Sequence, residues 1–224
     1  YYFIRFYFES KPKLFYTSMV LILLAGAFKV TGLFSLFAIG GIYLVELLGL
    51  QRFKEDRKLF TKPFLYILPI ISIFLIIGLW LAYAHSYNKT HDCAYFSTTI
   101  FPIWELNSIE IDGVLSNIKK VWLAQYFHKS VIFFIIICFL FIVAFFRKNN
   151  KLLIYSVLFI STEVILYVLL QFWTFADHDY YVIDVYILPI LIVISAFVVL
   201  EKHSNKLFKS KIFKIAFLIE YLEL

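Results

Sequence analysis

The chain predicts an all-α fold: a polytopic membrane bundle of about six transmembrane helices, with one further helix lying at the extracytoplasmic interface. Three observations carry that expectation. Of 224 residues, 62% are hydrophobic and only 16% charged, with a mean hydropathy of +0.87. That composition belongs to an integral membrane protein and excludes an ordinary soluble domain. Apolar runs long enough to cross a bilayer recur along the whole chain, and basic residues gather in alternate loops between them. The formal net charge of +6 therefore reads as membrane topology, not as a nucleic-acid-binding face.

The apolar runs are, in order, Leu14–Phe28, Leu33–Leu50, Phe64–Ala84, Ser130–Phe146, Leu152–Trp173 and Tyr181–Leu200. At about 1.5 Å per residue each approaches or exceeds a hydrocarbon core of about 30 Å. The first run is short and is expected to extend into its flanks, and a seventh run begins near Ile212. No Gly/Ser linker, charged tract or repeat divides the sequence. We therefore expect a single transmembrane domain over 1–224, with an extracytoplasmic loop at 85–129. The chain opens and closes within apolar stretches and lacks an initiator Met, which reads as a piece of a longer membrane protein.

Orientation follows from lysine and arginine. One set of loops holds Arg5, Lys11 and Lys13, then Arg52, Lys54, Arg57, Lys58 and Lys62, then Arg147, Lys148 and Lys151, and finally Lys202, Lys206, Lys209, Lys211 and Lys214. These are 16 of the 21 basic residues; the alternate loops hold only Lys29, Lys89, Lys119, Lys120 and Lys129. The positive-inside rule makes the first set cytoplasmic. The Lys29 turn, the long loop and the turn before Tyr181 then face outward, carrying His85, His91, Asp92, Glu105, Glu110, Asp112, His128, Asp177, His178 and Asp179.

The long loop has its own pattern. From Ser108 to Lys129, Ile111, Val114, Leu115, Ile118, Val121, Trp122 and Tyr126 recur at helical spacing, with Asp112, Ser116, Asn117, Lys119 and Lys120 on the other face. This predicts an interfacial helix with Trp122 and Tyr126 at headgroup depth, serving as a lid, a lipid guide or a packing element. Cys93 and Cys138 lie at different membrane depths and are expected to be unpaired. Asn88-Lys89-Thr90 matches the N-glycosylation pattern, a triplet common by chance.

Within the spans, Glu163 lies near mid-membrane, where an unpaired carboxylate costs about 2.5 kcal/mol or more. It reads equally as structural glue or as a pathway group. Glu46 lies nearer the cytoplasmic end, where it is expected to snorkel without a role. Pro189 is expected to kink the last span and Pro69 the third.

The densest cluster is Asp177-His178-Asp179-Tyr180-Tyr181, set between two spans. A turn that only reverses the chain needs Gly, Asn or Ser, whereas three titratable groups and two phenols suit a phosphate, a metal or a sugar hydroxyl. Asp184 follows Tyr180 by four residues and Tyr181 by three, extending that face one turn deeper. His178 can bind phosphate when protonated or metal when neutral. Asp179 can orient His178, bind a sugar hydroxyl or join a metal site. Asp-His-Asp is at most a partial ligand set, which leaves a divalent metal open and the cofactor unknown. Tyr180 and Tyr181 also suit an interfacial aromatic belt.

Three stretches resemble the GT-C class of polytopic membrane glycosyltransferases, specifically the bacterial protein O-mannosyltransferase and aminoarabinose transferase family. They are Leu24-Ala25-Gly26-Ala27-Phe28-Lys29-Val30-Thr31-Gly32; Tyr87-Asn88, Tyr95-Phe96 and Pro102-Ile103-Trp104 within 83–106; and His178-Asp179-Tyr180-Tyr181 followed by Leu188-Pro189. The resemblance implies a GT-C-like fold and transfer of a sugar from a polyprenyl-phosphate donor to a glycan, lipid or protein acceptor. It further implies action at the outer face of the bacterial cytoplasmic (inner) membrane. The family's catalytic carboxylate sits in a first outer loop, expected upstream of this chain, so the general base is unknown and the isolated fragment is expected to be inactive. Inverting transfer also needs stabilisation of the departing lipid phosphate, for which Lys29 is the candidate. The competing expectations are a transporter or flippase for lipid-linked sugars, and a non-catalytic membrane subunit.

Overall fold

A computed structural model describes residues 1–96, 98–176 and 180–203, with all their side chains except those of Lys148, Tyr180 and His203. Among the described residues every regular element is a helix and none is a strand. Apolar helices occupy each of the six expected places. Four stretches are long and apolar enough to cross a membrane, Val30–Leu47, Pro63–Thr90, Lys151–Leu170 and Tyr181–Lys202, and a bent pair, Ser108–Tyr126 with Lys129–Ala144, brings the total to five. Pro12–Phe28 is apolar but shorter. The chain gathers into two compact units, Tyr1–Ile100 and Phe101–Leu224.

The first unit begins with α1 (Tyr2–Glu9), whose Phe3 and Phe6 are buried. It ends at Ser10, which takes a left-handed conformation with φ 58° and donates its N–H to the Phe6 carbonyl. Proline fits the first turn of a helix, where its missing N–H has no partner to lose, and α2 (Pro12–Phe28) starts there. Its Phe15 meets Phe6 at 5.5 Å between ring centroids and Tyr66 at 4.9 Å. Phe60 adds a further edge-on contact with Tyr66 at 5.4 Å. These offset and edge-on rings form a dense aromatic core.

A 3₁₀ turn, Val30–Leu33, leads into α3 (Phe34–Leu47). Glu46 lies in the last turn of α3 and is 2% exposed. Instead of snorkelling, its carboxylate turns inward onto the following loop. Oε1 accepts from the backbone N–H groups of Leu59 at 2.9 Å and Phe53 at 3.4 Å, and Oε2 from that of Phe60 at 2.8 Å. The 48–62 segment has no regular helix, so its amides lack repeating partners. Glu46 supplies them.

The next helix, α4 (Pro63–Thr90), runs 28 residues, six beyond the expected end at Ala84. At about 1.5 Å per residue it is longer than a hydrocarbon core of about 30 Å. Pro69 lies inside this helix without breaking it. Proline cannot donate to the carbonyl four residues back, here that of Leu65. The Tyr16 hydroxyl of α2 donates to that carbonyl at 3.3 Å. Past the helix, Asn88 binds the returning chain on both sides, donating to the Phe96 carbonyl at 2.6 Å and accepting its N–H at 3.1 Å. The glycosylation triplet thus closes a helix end.

The second unit opens with an extended segment whose Phe101 donates its N–H to the Leu170 carbonyl at 3.1 Å. Asn107 and Glu110 cap α5 (Ser108–Asn117) reciprocally, each side chain accepting the other's backbone N–H. One π-helical stretch, Ile118–Trp122, joins it to α6 (Leu123–Tyr126). The helix periodicity over 108–129 is therefore present through Tyr126. A 95° bend leads into α7 (Lys129–Ala144).

Asn150 caps α8 (Lys151–Leu170) by accepting from Leu152 at 2.9 Å and Leu153 at 3.4 Å. A 3₁₀ stretch, Phe172–Ala176, precedes α9 (Tyr180–Asp184) and α10 (Ile187–His203). Cys138 and Ile142 of α7, Ile154 and Val157 of α8, and Ile192 and Ala196 of α10 form its apolar core. The last span breaks four residues before Pro189, where that proline leaves the Val185 carbonyl without its helical donor. Pro189 lies in the first turn of α10, and Val185's carbonyl accepts instead from Leu188 at 3.1 Å. Both cysteines are free, Cys93 exposed and Cys138 buried.

Candidate functional site

In the first unit, Lys29 follows α2 with extended backbone, φ −153° and ψ 131°. Its N–H donates to Ala25 at 2.9 Å and its carbonyl accepts from Gly32 at 2.8 Å. Glycine is required at position 32, because a Cβ there would lie 2.6 Å from the backbone carbonyl carbon of Ala25. Ala25 and Gly32 thereby hold Lys29 at the tip of a tight turn, half-buried.

In the second unit, Asp177, His178 and Asp179 lie outside the described residues, as does the side chain of Tyr180. Tyr181 and Asp184 are described, and one residue brings them together. Tyr167, near the end of α8, donates its hydroxyl to Asp184 Oδ2 at 3.0 Å and stacks its ring on Tyr181 at 6.4 Å. Phe175 closes the trio, 5.9 Å from Tyr167 and 6.4 Å from Tyr181. The shared face expected for Tyr181 and Asp184 exists, and Tyr167 is what it faces. Tyr167 and Phe175 are buried, while Tyr181 and Asp184 are half-buried. The rings pack against one another, so this is a wall beside a carboxylate and not an open aromatic cage.

The segment leading to Asp177 is tied down from elsewhere. Trp122 Nε1 donates to the Phe175 carbonyl at 2.6 Å, and the Asn117 side-chain amide donates to the Ala176 carbonyl. Trp122 is buried against the protein, its indole spent on the Phe175 carbonyl. The opposed faces expected for Trp122 and Asn117 are corrected. In a π-helix the repeating hydrogen bond runs between residues five apart, as from Leu123's N–H to the Ile118 carbonyl. That stretch turns Asn117 and Trp122, also five apart, toward consecutive carbonyls. A 3.6-residue period does not reveal this; the indole and the amide were visible, their register was not.

In the middle of α8, Glu163 keeps Oε2 buried with no hydrogen-bond partner among the described residues. The neighbouring Thr162 hydroxyl is committed to the Leu158 carbonyl at 3.0 Å. Among the described residues there is no group of three or more His, Cys, Asp or Glu side chains able to hold a metal. The chain matches no protein-family model, no curated protein and no solved structure.

Proposed function

We propose that this chain is the later part of the membrane domain of a GT-C-like glycosyltransferase. It moves a sugar from a polyprenyl-phosphate donor to a lipid, glycan or protein acceptor at the outer face of the bacterial cytoplasmic membrane. The observation that carries the reading is the Tyr167–Asp184–Tyr181 arrangement, which the Asp177-His178-Asp179 run immediately precedes in sequence. A carboxylate oriented by a phenol, next to an aromatic wall, is the chemistry that binds a hydroxylated ring: the acid takes hydroxyl protons and the rings cover C–H faces.

In this reading Asp184, Tyr180 and Tyr181 contact the sugar, and Asp177, His178 and Asp179 contact the sugar or its phosphate. Lys29 of the first unit is proposed independently as a partner for a lipid phosphate, whose charge is stabilised best by donors already in place before the reaction. This reading assigns the general base to none of these residues. The test is transfer of labelled sugar from the polyprenyl-phosphate donor by the full-length protein in vesicles. Asp184→Asn and His178→Ala are each expected to lower transfer at least tenfold with normal membrane insertion. Full activity in both removes this end of the second unit from the mechanism.

A second reading has one observation of its own. The partnerless Glu163 oxygen inside an apolar helix is the kind of group transporters keep along a pathway. A transporter or flippase for lipid-linked sugars would move the labelled lipid across the vesicle membrane without forming a new glycosidic bond.

A further inference from the structure

Lys119, Lys120 and Lys129 are three of the five basic residues at the basic-poor ends of the helices, yet they lie within eleven positions of one another. All three are exposed, and none forms an ion pair among the described residues. They flank the 95° bend between the Ser108–Tyr126 helix and α7. Directly under that bend lies an apolar groove of about 270 Å³, lined by Leu123, Phe127, Ile132, Ile136, Leu188 and Pro189 among others.

The charges adjoin the groove on both sides of the bend. Lys119 and Lys120 lie in the π-helical stretch that runs directly into Leu123 of the groove wall. Lys129 precedes Ile132 by three and Ile136 by seven, which is one face of α7. With α7 crossing the bilayer, a helix at 95° to it runs along the membrane plane. The groove then opens at the bend and runs inward along α7. Its wall is apolar throughout, and the lysines at its mouth have no ion-pair partner among the described residues.

We infer that this elbow is a binding site for an anionic phospholipid of the surrounding bilayer, with one acyl chain in the groove and the phosphate between Lys119, Lys120 and Lys129. Charge complementarity selects this occupant: basic pockets beside membrane helices hold anionic headgroups, whereas a zwitterionic lipid brings its own cation. The site stands independently of sugar transfer.

The experiment uses the intact chain in nanodiscs containing phosphatidylglycerol or phosphatidylcholine with a photoactivatable group on one acyl chain, read by peptide mapping. Phosphatidylglycerol is expected to label peptides within 123–136 at least fivefold more than phosphatidylcholine. The triple exchange Lys119→Gln, Lys120→Gln, Lys129→Gln alters only exposed side chains and should erase that preference. Ile132→Trp, which fills the groove, should reduce labelling by both lipids. Equal labelling by the two lipids, labelling confined to other helices, or a preference that survives the triple exchange would each overturn the site. So would displacement of the probe by polyprenyl phosphate but not by excess phosphatidylglycerol, since the occupant would then be the other lipid.

Discussion

Glu46 and Glu163 are two carboxylates set within apolar helices, and they are treated in opposite ways. Glu46 is almost fully buried and accepts three backbone N–H groups from the loop that follows its helix. Glu163 has one oxygen buried with no partner among the described residues. The first carboxylate is explained completely by folding: it organises fifteen residues that have no helix of their own. The second is not, and an unexplained polar atom in an apolar helix is where function is worth seeking. The same contrast separates their surroundings. Glu46 holds the backbone of Phe60, whose ring joins the aromatic core of Phe6, Phe15 and Tyr66, whereas Glu163 shares its helix with Tyr167, whose hydroxyl serves Asp184.

The largest effect that sharpens this contrast is on stability. Glu46→Ala strands three buried amides and is expected to cost about 3 kcal/mol or more, read by thermal unfolding in detergent. The matched change Glu163→Gln removes no hydrogen bond seen here and should shift stability by less than about 1 kcal/mol. A large loss at Glu163 with none at Glu46 would invert the comparison.

Smaller effects follow at the candidate site. Tyr167→Phe removes a hydrogen bond to a carboxylate and is expected to cost about 1.5 to 3 kcal/mol while lowering sugar transfer. Trp122→Phe removes one bond to a carbonyl, about 1 kcal/mol, and should speed hydrogen exchange in residues 172–176 without changing it in α7.

The smallest effect depends on pH and lies outside the spans. Hydrogen bonds from Arg5 and then Lys11 hold the Glu9 carboxyl below its ordinary range. A lowered folded-state value means that the pair supports α1 fully above the unfolded glutamate value near about 4.3. That support is lost as pH falls through the lower folded value. Amide exchange in residues 2–9 should therefore rise only in the acid range, and Glu9→Gln should abolish that dependence.

Much of the helical layout was legible because apolar runs and lysine asymmetry are local signals. The periodic segment after Ser108 was legible for the same reason. Glu46 was misread because its partners lie 7 to 14 residues ahead, in a loop whose path no periodicity encodes. Tyr167 was missed because one phenol among many aromatic residues in an apolar helix looks like filling until Asp184 is placed opposite it. The π stretch escaped because it breaks the very period used to assign faces. Pro189 was legible, because a proline removes the donor to the carbonyl four residues back wherever it sits in a helix.

Sugar transfer by the full-length protein in sealed vesicles, with labelled polyprenyl-phosphate sugar presented on the outer face, tests the central claim most directly. The account predicts label covalently joined to an acceptor, with transfer reduced at least tenfold by Asp184→Asn. Label that crosses the membrane still attached to its lipid, with no product formed, would contradict it.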